Sequence, residues 1–288
     1  MVNLQAVFCR FWLPFTMKFQ VFPILPELQY CLRKVWVFES RHDVALTDIK
    51  TVVPSGHLTL TFTCRGNYST LVQGSELYHT KEATLSLIGL QSGPVLLDGG
   101  GDVLTLGVSF QPFSAYRFFP FPLQETANRL VTGEELWGNE ANRLTDQLLT
   151  LNEPALMARR LQEFLLAKLI PAKSLEEMAR FSVEALFRER GGVPIHVLAQ
   201  KTGYSQRHLH RIFHEMVGIS PKSFARIVRI KHLLSVAPPL QKPHLQMFHE
   251  AFFDQAHCIK EFKAFTGYTP HQYAQKDNSF GTLFNQLK

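Results

Sequence analysis

Apolar and polar residues alternate along HLTLTFTC, residues 57–64, with Leu58, Leu60, Phe62 and Cys64 in one register and His57, Thr59, Thr61 and Thr63 in the other. A period of two predicts a strand with one buried face and one solvated face. CLRKVWVFE (31–39), ATLSLIGL (83–90) and VLTLGVSF (103–110) are further strand candidates, set apart by turn signals such as Pro54-Ser55-Gly56 and Gly99-Gly100-Gly101. Residues 17–140 therefore read as a β-rich module. Past residue 140 the period becomes helical: Leu144, Leu148 and Leu151, then Leu161, Phe164, Leu165, Lys168 and Leu169, recur three and four apart. Ser174 with Glu177 predicts a capping box at the start of SLEEMARFSVEALFRER, and Gly191-Gly192 ends that helix. The expected organisation is α+β: a β-rich domain over 17–140, a helical connector over 141–190, and an all-α domain over 191–288 holding two helix-turn-helix units.

The two units emerge from an internal repeat. Displacing the sequence by 49 residues lays His208 on His257, Phe213 on Phe262, Gly218 on Gly267 and Pro221 on Pro270, with Gln206 on Gln255. Each copy reads as a short helix (195–202; 244–251), a tight turn, and a second helix (205–217; 254–266) stopped by Gly and Ser/Thr-Pro. In the first copy Leu209, Ile212, Phe213 and Met216 form an apolar stripe, leaving Gln206, Arg207, His210, Arg211 and His214 on the open face. In the second, Cys258, Phe262 and Phe265 make the stripe, and Gln255, Ala256, Ile259 and Lys260 take the open positions. SPKSFARIVRIKHLLSVA joins the copies as a helix capped by Ser220 and stopped by Pro238-Pro239.

Charge sharpens this pattern. The 288-residue chain carries a formal +6, yet residues 191–288 hold 12 Lys and Arg against 5 Asp and Glu, leaving 18 against 19 in the remainder. The basic excess lies wholly in the repeat, which points to a polyanionic partner. An apolar fraction of 45% supports packed cores. Cys9, Cys31, Cys64 and Cys258 form no CxxC pair, so neither a zinc ribbon nor a disulfide framework is indicated, and a reducing compartment fits. MVNLQAVFCRFWLPFTMKF places Arg10 inside its apolar run and lacks a small-x-small cleavage site, so with a second Met at 17 residues 1–16 read as an upstream start-site extension.

GYSQRHLHRIFHEMVGISPKSFARIVRIKHLL followed by FFDQAHCIKEFKAFTGYTPHQY resembles the DNA-binding domain of the AraC/XylS family of bacterial transcription regulators. The front half is similar to the N-terminal domain of one branch of that family, through Val53-Pro54-Ser55-Gly56-His57-Leu58, LIGLQSGP (87–94) and GVSFQPFSAYRFF (107–119). The resemblance implies a cytoplasmic, sequence-specific regulator of transcription, with double-stranded DNA and RNA polymerase as partners, room for a small-molecule effector and for a homodimer, and no membrane, cofactor or enzymatic activity. Carried onto this chain, the base-facing positions are Arg207, His210 and Arg211 in the first unit and Gln255, Ala256, Ile259 and Lys260 in the second. The chain departs from the family pattern at Met247 and Ala251, where a small residue and Gly are usual, so a second unit acting mainly through protein contacts is an alternative.

Other chemistries fit poorly. His210 and His214 stand four apart without a third ligand of known position, and His214-Glu215 lacks the second His of HExxH. Gly99-Gly100-Gly101 opens no helix and is not followed by Lys-Ser/Thr, and no GxSxG occurs. A DNA-repair enzyme fused to this reader would need a metal-binding cysteine cluster, which Cys9, Cys31 and Cys64 do not supply. Trp36, Phe38, Phe62, Phe110, Phe113 and Tyr116 read as core, with a ligand pocket as the sharper alternative, and Arg226, Arg229 and Lys231 as a solvated or phosphate-facing edge.

Overall fold

A computed structural model describes residues 17–40, 50–72, 77–98, 102–236 and 255–274. Among the described residues, ten strands form two sheets. The larger contains β1 (Met17–Phe22), β2 (Leu32–Ser40), β9 (Val103–Phe110), β4 (Thr59–Arg65), β7 (Thr84–Ile88) and β10 (Leu130–Thr132), in that spatial order. The smaller runs β3 (Lys50–Val52), β8 (Val95–Asp98), β5 (Tyr68–Val72) and β6 (Leu77–Thr80), and every pairing in both sheets is antiparallel.

The two registers of β4 have the fates that alternation demands, with one correction. Leu58, Leu60, Phe62 and Cys64 are buried, joining Val35 and Val37 of β2 and Leu106 and Val108 of β9 in the main core. That face is covered by helices α2 (Asn139–Leu149) and α3 (Pro154–Lys168). The opposite register is not solvated: His57, Thr61 and Thr63 are also buried, because this face looks towards the second sheet across an internal cavity. A period-two pattern separates two environments; it does not say that the polar one is bulk water.

Gly107 of β9 is set by a close approach across the sheet. It pairs with Trp36, and a Cβ there would fall 2.2 Å from the indole ring. Only glycine lets Trp36 lie over the strand, stacked on Phe19 at 5.3 Å between ring centroids.

The expected helices past residue 140 are present, and Leu144, Leu148, Leu161, Phe164 and Leu165 are all buried. The segment read as a connector thus packs, through α2 and α3, on the β-rich half. The Ser174/Glu177 capping box does not form: α4 spans Glu176–Arg188 with Leu175 as its N-cap. Tyr116 takes over this corner, accepting from Lys173 N at 2.7 Å and donating to the buried carboxylate of Glu176 at 2.8 Å, while Glu177 pairs with Arg180. A capping box does form at Thr132 and Glu135, opening α1 (Gly133–Trp137).

The C-terminal half follows as α5 (Ile195–Thr202), α6 (Gln206–Ile212) and α7 (Pro221–Val236), then α8 (Gln255–Thr266) and a short helix Pro270–Ala274. The helix predicted over 244–251, with Met247 and Ala251, lies outside the described residues, as do residues 1–16, Gly99 to Gly101 and Pro238-Pro239.

Candidate nucleic-acid interface

The turn Gly203–Ser205 joins α5 to α6, and Ser205 caps α6 by accepting from His208 N at 3.2 Å. Leu209, Ile212, Phe213 and Met216 are almost wholly buried, as the stripe requires. Gln206, Arg207, His210 and Arg211 are consequently exposed, and His214 is half-buried. No carboxylate stands among the residues lining the shallow depression that Gln206, Arg207, His210 and Arg211 share with Ser205 and His208.

His208 organises this surface. Its ring stacks on Tyr204 at 4.8 Å, and its Nδ1 accepts from Arg211 Nη2 at 3.3 Å, so the guanidinium is held against the turn. His210 and His214 lie 4.8 Å apart, and burial together with the neighbouring His210 lowers the His214 pKa below the ordinary histidine value. A neutral His214 leaves Arg207 and Arg211 as the strong cations of the helix. Among the described residues no group of three His, Cys, Asp or Glu is placed to hold a metal.

The last turn of the predicted 205–217 helix is altered. Residues Phe213–Val217 form a π-helical turn that closes when Gly218 N reaches Phe213 O at 2.8 Å. Gly218 has φ of 101°, and a Cβ there would meet Leu123 O at 2.9 Å. The end of the recognition helix is thus pressed onto the turn Leu123–Thr126 of the N-terminal half, and an ion pair between Lys173 and Glu215 fastens it laterally.

In the second unit Phe262 and Phe265 are buried as expected, while Ile259 and Lys260 are exposed. The backbone of Gln255 and Ala256 lies in the first turn of α8, and their side chains, with that of Cys258, lie outside the described residues. Arg226, Arg229 and Lys231 of α7 each have a partner within the protein, while Lys222 is exposed. Arg226 makes a two-pronged pair with Glu261 of α8, at 2.6 and 2.7 Å, and stacks over Phe265. Arg229 donates to Gly191 O at 2.8 Å, and Lys231 donates to Ser55 O at 3.2 Å. Each is spent on fixing α7 to a neighbouring element.

Behind α6 the two halves meet through aromatic rings. His57 stacks on Phe187 of α4 at 5.7 Å, Phe187 meets Phe224 of α7 at 5.4 Å, and Phe224 meets Phe213 at 6.1 Å. His57 also lines the cavity between the sheets, about 190 Å³ in volume, together with Phe19, Trp36, Phe38 and Lys231. Of the six aromatic residues weighed as a pocket, Trp36 and Phe38 line it, whereas Phe62, Phe110, Phe113 and Tyr116 belong to the core. Sequence reasoning missed Lys231 and His57, which stand 174 residues apart and read separately as a solvated base and a polar strand position.

Residues 198–276 match the model of a helix-turn-helix domain, and residues 20–132 match a domain of unknown function (DUF6597). The HTH-type transcriptional activator AarP of Providencia stuartii is 31% identical over 90 residues, 30% of this chain and 64% of that protein's length. The probable transcription factor PqrA of Proteus vulgaris is 30% identical over 97 residues, 32% of this chain and 77% of that protein. Among solved structures, ToxT from Vibrio cholerae is similar at a TM-score of 0.48 and 9% identity, covering 83% of this chain and 97% of that one. Unsaturated fatty acid bound ToxT gives 0.47 and 10%, over 85% and 95%. With both helices of the first unit and the second helix of the second unit in their expected places, the chain belongs to the AraC/XylS family of transcription regulators.

Proposed function

We propose that this protein is a sequence-specific DNA-binding regulator that lays α6 and α8 into successive segments of the major groove. The observation that carries the reading is α6 itself: one face is locked into the core, and the other presents Arg207, His210 and Arg211 to solvent. An arginine at such a position can hold guanine O6 and N7 with two hydrogen bonds, which discriminates by about 1–3 kcal/mol. Between the readers, α7 has 16 residues and is about 24 Å long. That is shorter than the roughly 34 Å between major-groove segments on one face of a duplex, and the bodies of the two units supply the remainder. Ala256 and Ile259 would offer apolar contact, for instance to a thymine methyl, and Gln255 and Lys260 polar contact.

The same reading gives the N-terminal cavity the part of an effector site, since its wall at His57 continues through Phe187 and Phe224 to Phe213 of α6. Contact with RNA polymerase, assembly as a homodimer and a cytoplasmic setting are also part of the proposal. No helix among the described residues is long and apolar enough to cross a membrane. Selection from random duplexes tests the central claim. A defined site should be enriched, Arg207→Ala should relax preference at one position, and affinity should fall steeply with salt. No enriched site at any salt concentration would end this reading. A second unit that works through protein contacts would show instead as unchanged DNA affinity when Gln255 and Lys260 are both replaced by Ala.

A further inference from the structure

His208 carries a buried donor that has no partner among the described residues. Its Nδ1 lies 3.3 Å from Arg211 Nη2. A guanidinium has donors and no acceptor, so this contact leaves the ring one arrangement: Nδ1 accepts, and the proton sits on Nε2. Nε2 is buried and makes no hydrogen bond. The other tautomer is worse, because it leaves Nε2 unmet as an acceptor and sets two donors against each other at the arginine. Buried unmet polar atoms are rare and costly, and one that persists calls for a reason.

The rest of the local structure holds the ring still. The backbone N–H of His208 donates to Ser205 Oγ at 3.2 Å, which fixes the root of the side chain at the third position of α6. One face of the ring lies on Tyr204 at 4.8 Å, with 10° between the planes. Root, face and inner edge are thus occupied, and the edge that remains, Nδ1, is turned to Arg211. Arg211 is exposed, and no carboxylate lines the depression it shares with His208. An exposed arginine without a tether samples many rotamers, and ordering it on DNA costs free energy at the moment of reading.

We propose that His208 is a positioning residue for base reading: its ring, held with Nδ1 as acceptor, pre-orients the Arg211 guanidinium and so sets how sharply α6 discriminates at one base. The inference rests on the reading of α6 as a major-groove helix and adds to it a residue that touches no base. One hydrogen of Nη2 goes to His208. The other, with those of Nη1, remains for the O6 and N7 acceptors of a guanine. The unmet Nε2–H is what the fold gives up to present Nδ1. In the second unit His257 and Lys260 take the matching places in the sequence, and an ammonium lacks the planar fork that such a tether would orient. The sharpened reading therefore belongs to the first unit.

The test compares the full chain and its variants on the duplex enriched by selection, with each base of the α6 half-site substituted in turn. His208→Phe keeps a ring on Tyr204 and removes both Nδ1 and the unmet Nε2–H, so it should melt no lower than the wild type. Its preference at the base read by Arg211 should fall by about threefold to tenfold, the scale of an arginine left to be ordered on binding, with the slope of affinity against salt unchanged. His208→Asn should do the opposite, since it sets Oδ1 near the place of Nδ1 and gives up the stack: it should melt lower and keep most of the preference. In an Arg211→Ala background His208→Phe should relax nothing further at that position. Without DNA, the imidazole nitrogen resonances should show Nδ1 unprotonated and Nε2 protonated. Full preference in His208→Phe, equal relaxation in His208→Asn, a further loss in the Arg211→Ala background, a shallower salt slope or a protonated Nδ1 would each overturn the proposal. No enriched site would end the reading of α6 itself and the positioning role with it. A site that Arg211→Ala relaxes and His208→Phe leaves sharp would end the positioning role alone.

Discussion

The two recognition helices descend from one repeated pattern and are anchored differently. Helix α6 ends against the N-terminal half, with Gly218 on Leu123, Glu215 on Lys173 and Phe213 in the ring series that leads to His57. Helix α8 is fixed to α7 by Arg226 and Glu261 and by Phe265 beneath the guanidinium. Their open faces differ as well: Arg207, His210 and Arg211 on the first, Ile259 and Lys260 among the described side chains of the second. A repeat conserves the scaffold of a reader while the anchor and the reading face diverge. In this molecule the end of α6 is pressed more tightly on the N-terminal half than the end of α8, where a Cβ on Gly267 would lie 3.7 Å from Pro94 against 2.9 Å from Leu123 O for Gly218.

The largest effect is expected from Phe224→Ala. Phe224 is fully buried between Phe187 and Phe213, so its loss should lower stability by about 3–5 kcal/mol, read by urea denaturation, and should uncouple α6 from the cavity. If the anchors truly differ, Arg226→Met comes next: it strands a largely buried Glu261 and should cost about 2–3 kcal/mol, with DNA affinity reduced through the half-site of α8 alone. Footprints in which both half-sites weaken equally would erase the distinction between the units. Arg207→Ala should lose about 1–3 kcal/mol of base discrimination at one position, whereas Ile259→Ala should cost about 1 kcal/mol or less. An equal loss from the two would show that the faces read alike.

A separate effect concerns pH. Lys34 and Lys231, with Arg33 beside them on β2 and the neutral His57 on the adjoining loop, release their protons in the folded chain near pH 8, whereas in the unfolded chain lysine holds its proton to about 10.4. Between these values the unfolded chain binds more protons, so this cluster should make the protein more stable as pH rises from about 8 to about 10. The rise should be smaller in Lys231→Met, and DNA affinity of the open face of α6 should not follow it.

Much of this was legible in the residues. The repeat at a spacing of 49 located both readers, and the stripe of Leu209, Ile212, Phe213 and Met216 oriented the first, because helical period and Gly/Pro punctuation are local signals. The strands near 31–39, 57–64, 83–90 and 103–110 lie within a residue or two of their expected places. What failed was long-range. Ser174 and Glu177 have the spacing of a cap, but Tyr116, nearly sixty residues earlier, claims that corner. Thr59, Thr61 and Thr63 look solvated until a second sheet closes over them. Arg226, Arg229 and Lys231 look like a basic edge until Glu261, Gly191 and Ser55 are brought to them. The cavity cluster assembles residues from β2, a loop and α7, and its one local trace is the alternation Lys34, Trp36, Phe38, Ser40 opposite the apolar Val35 and Val37.

The bare backbone at Gly107 has an optical consequence. Of the two tryptophans among the described residues, Trp36 forms part of the cavity wall because that backbone admits it, and Trp137 is wedged between Phe119 and Phe164, away from the cavity. A guest in the cavity touches the first indole and not the second. The intrinsic emission of Trp36 would therefore report on a molecule that enters the cavity, and that of Trp137 would not.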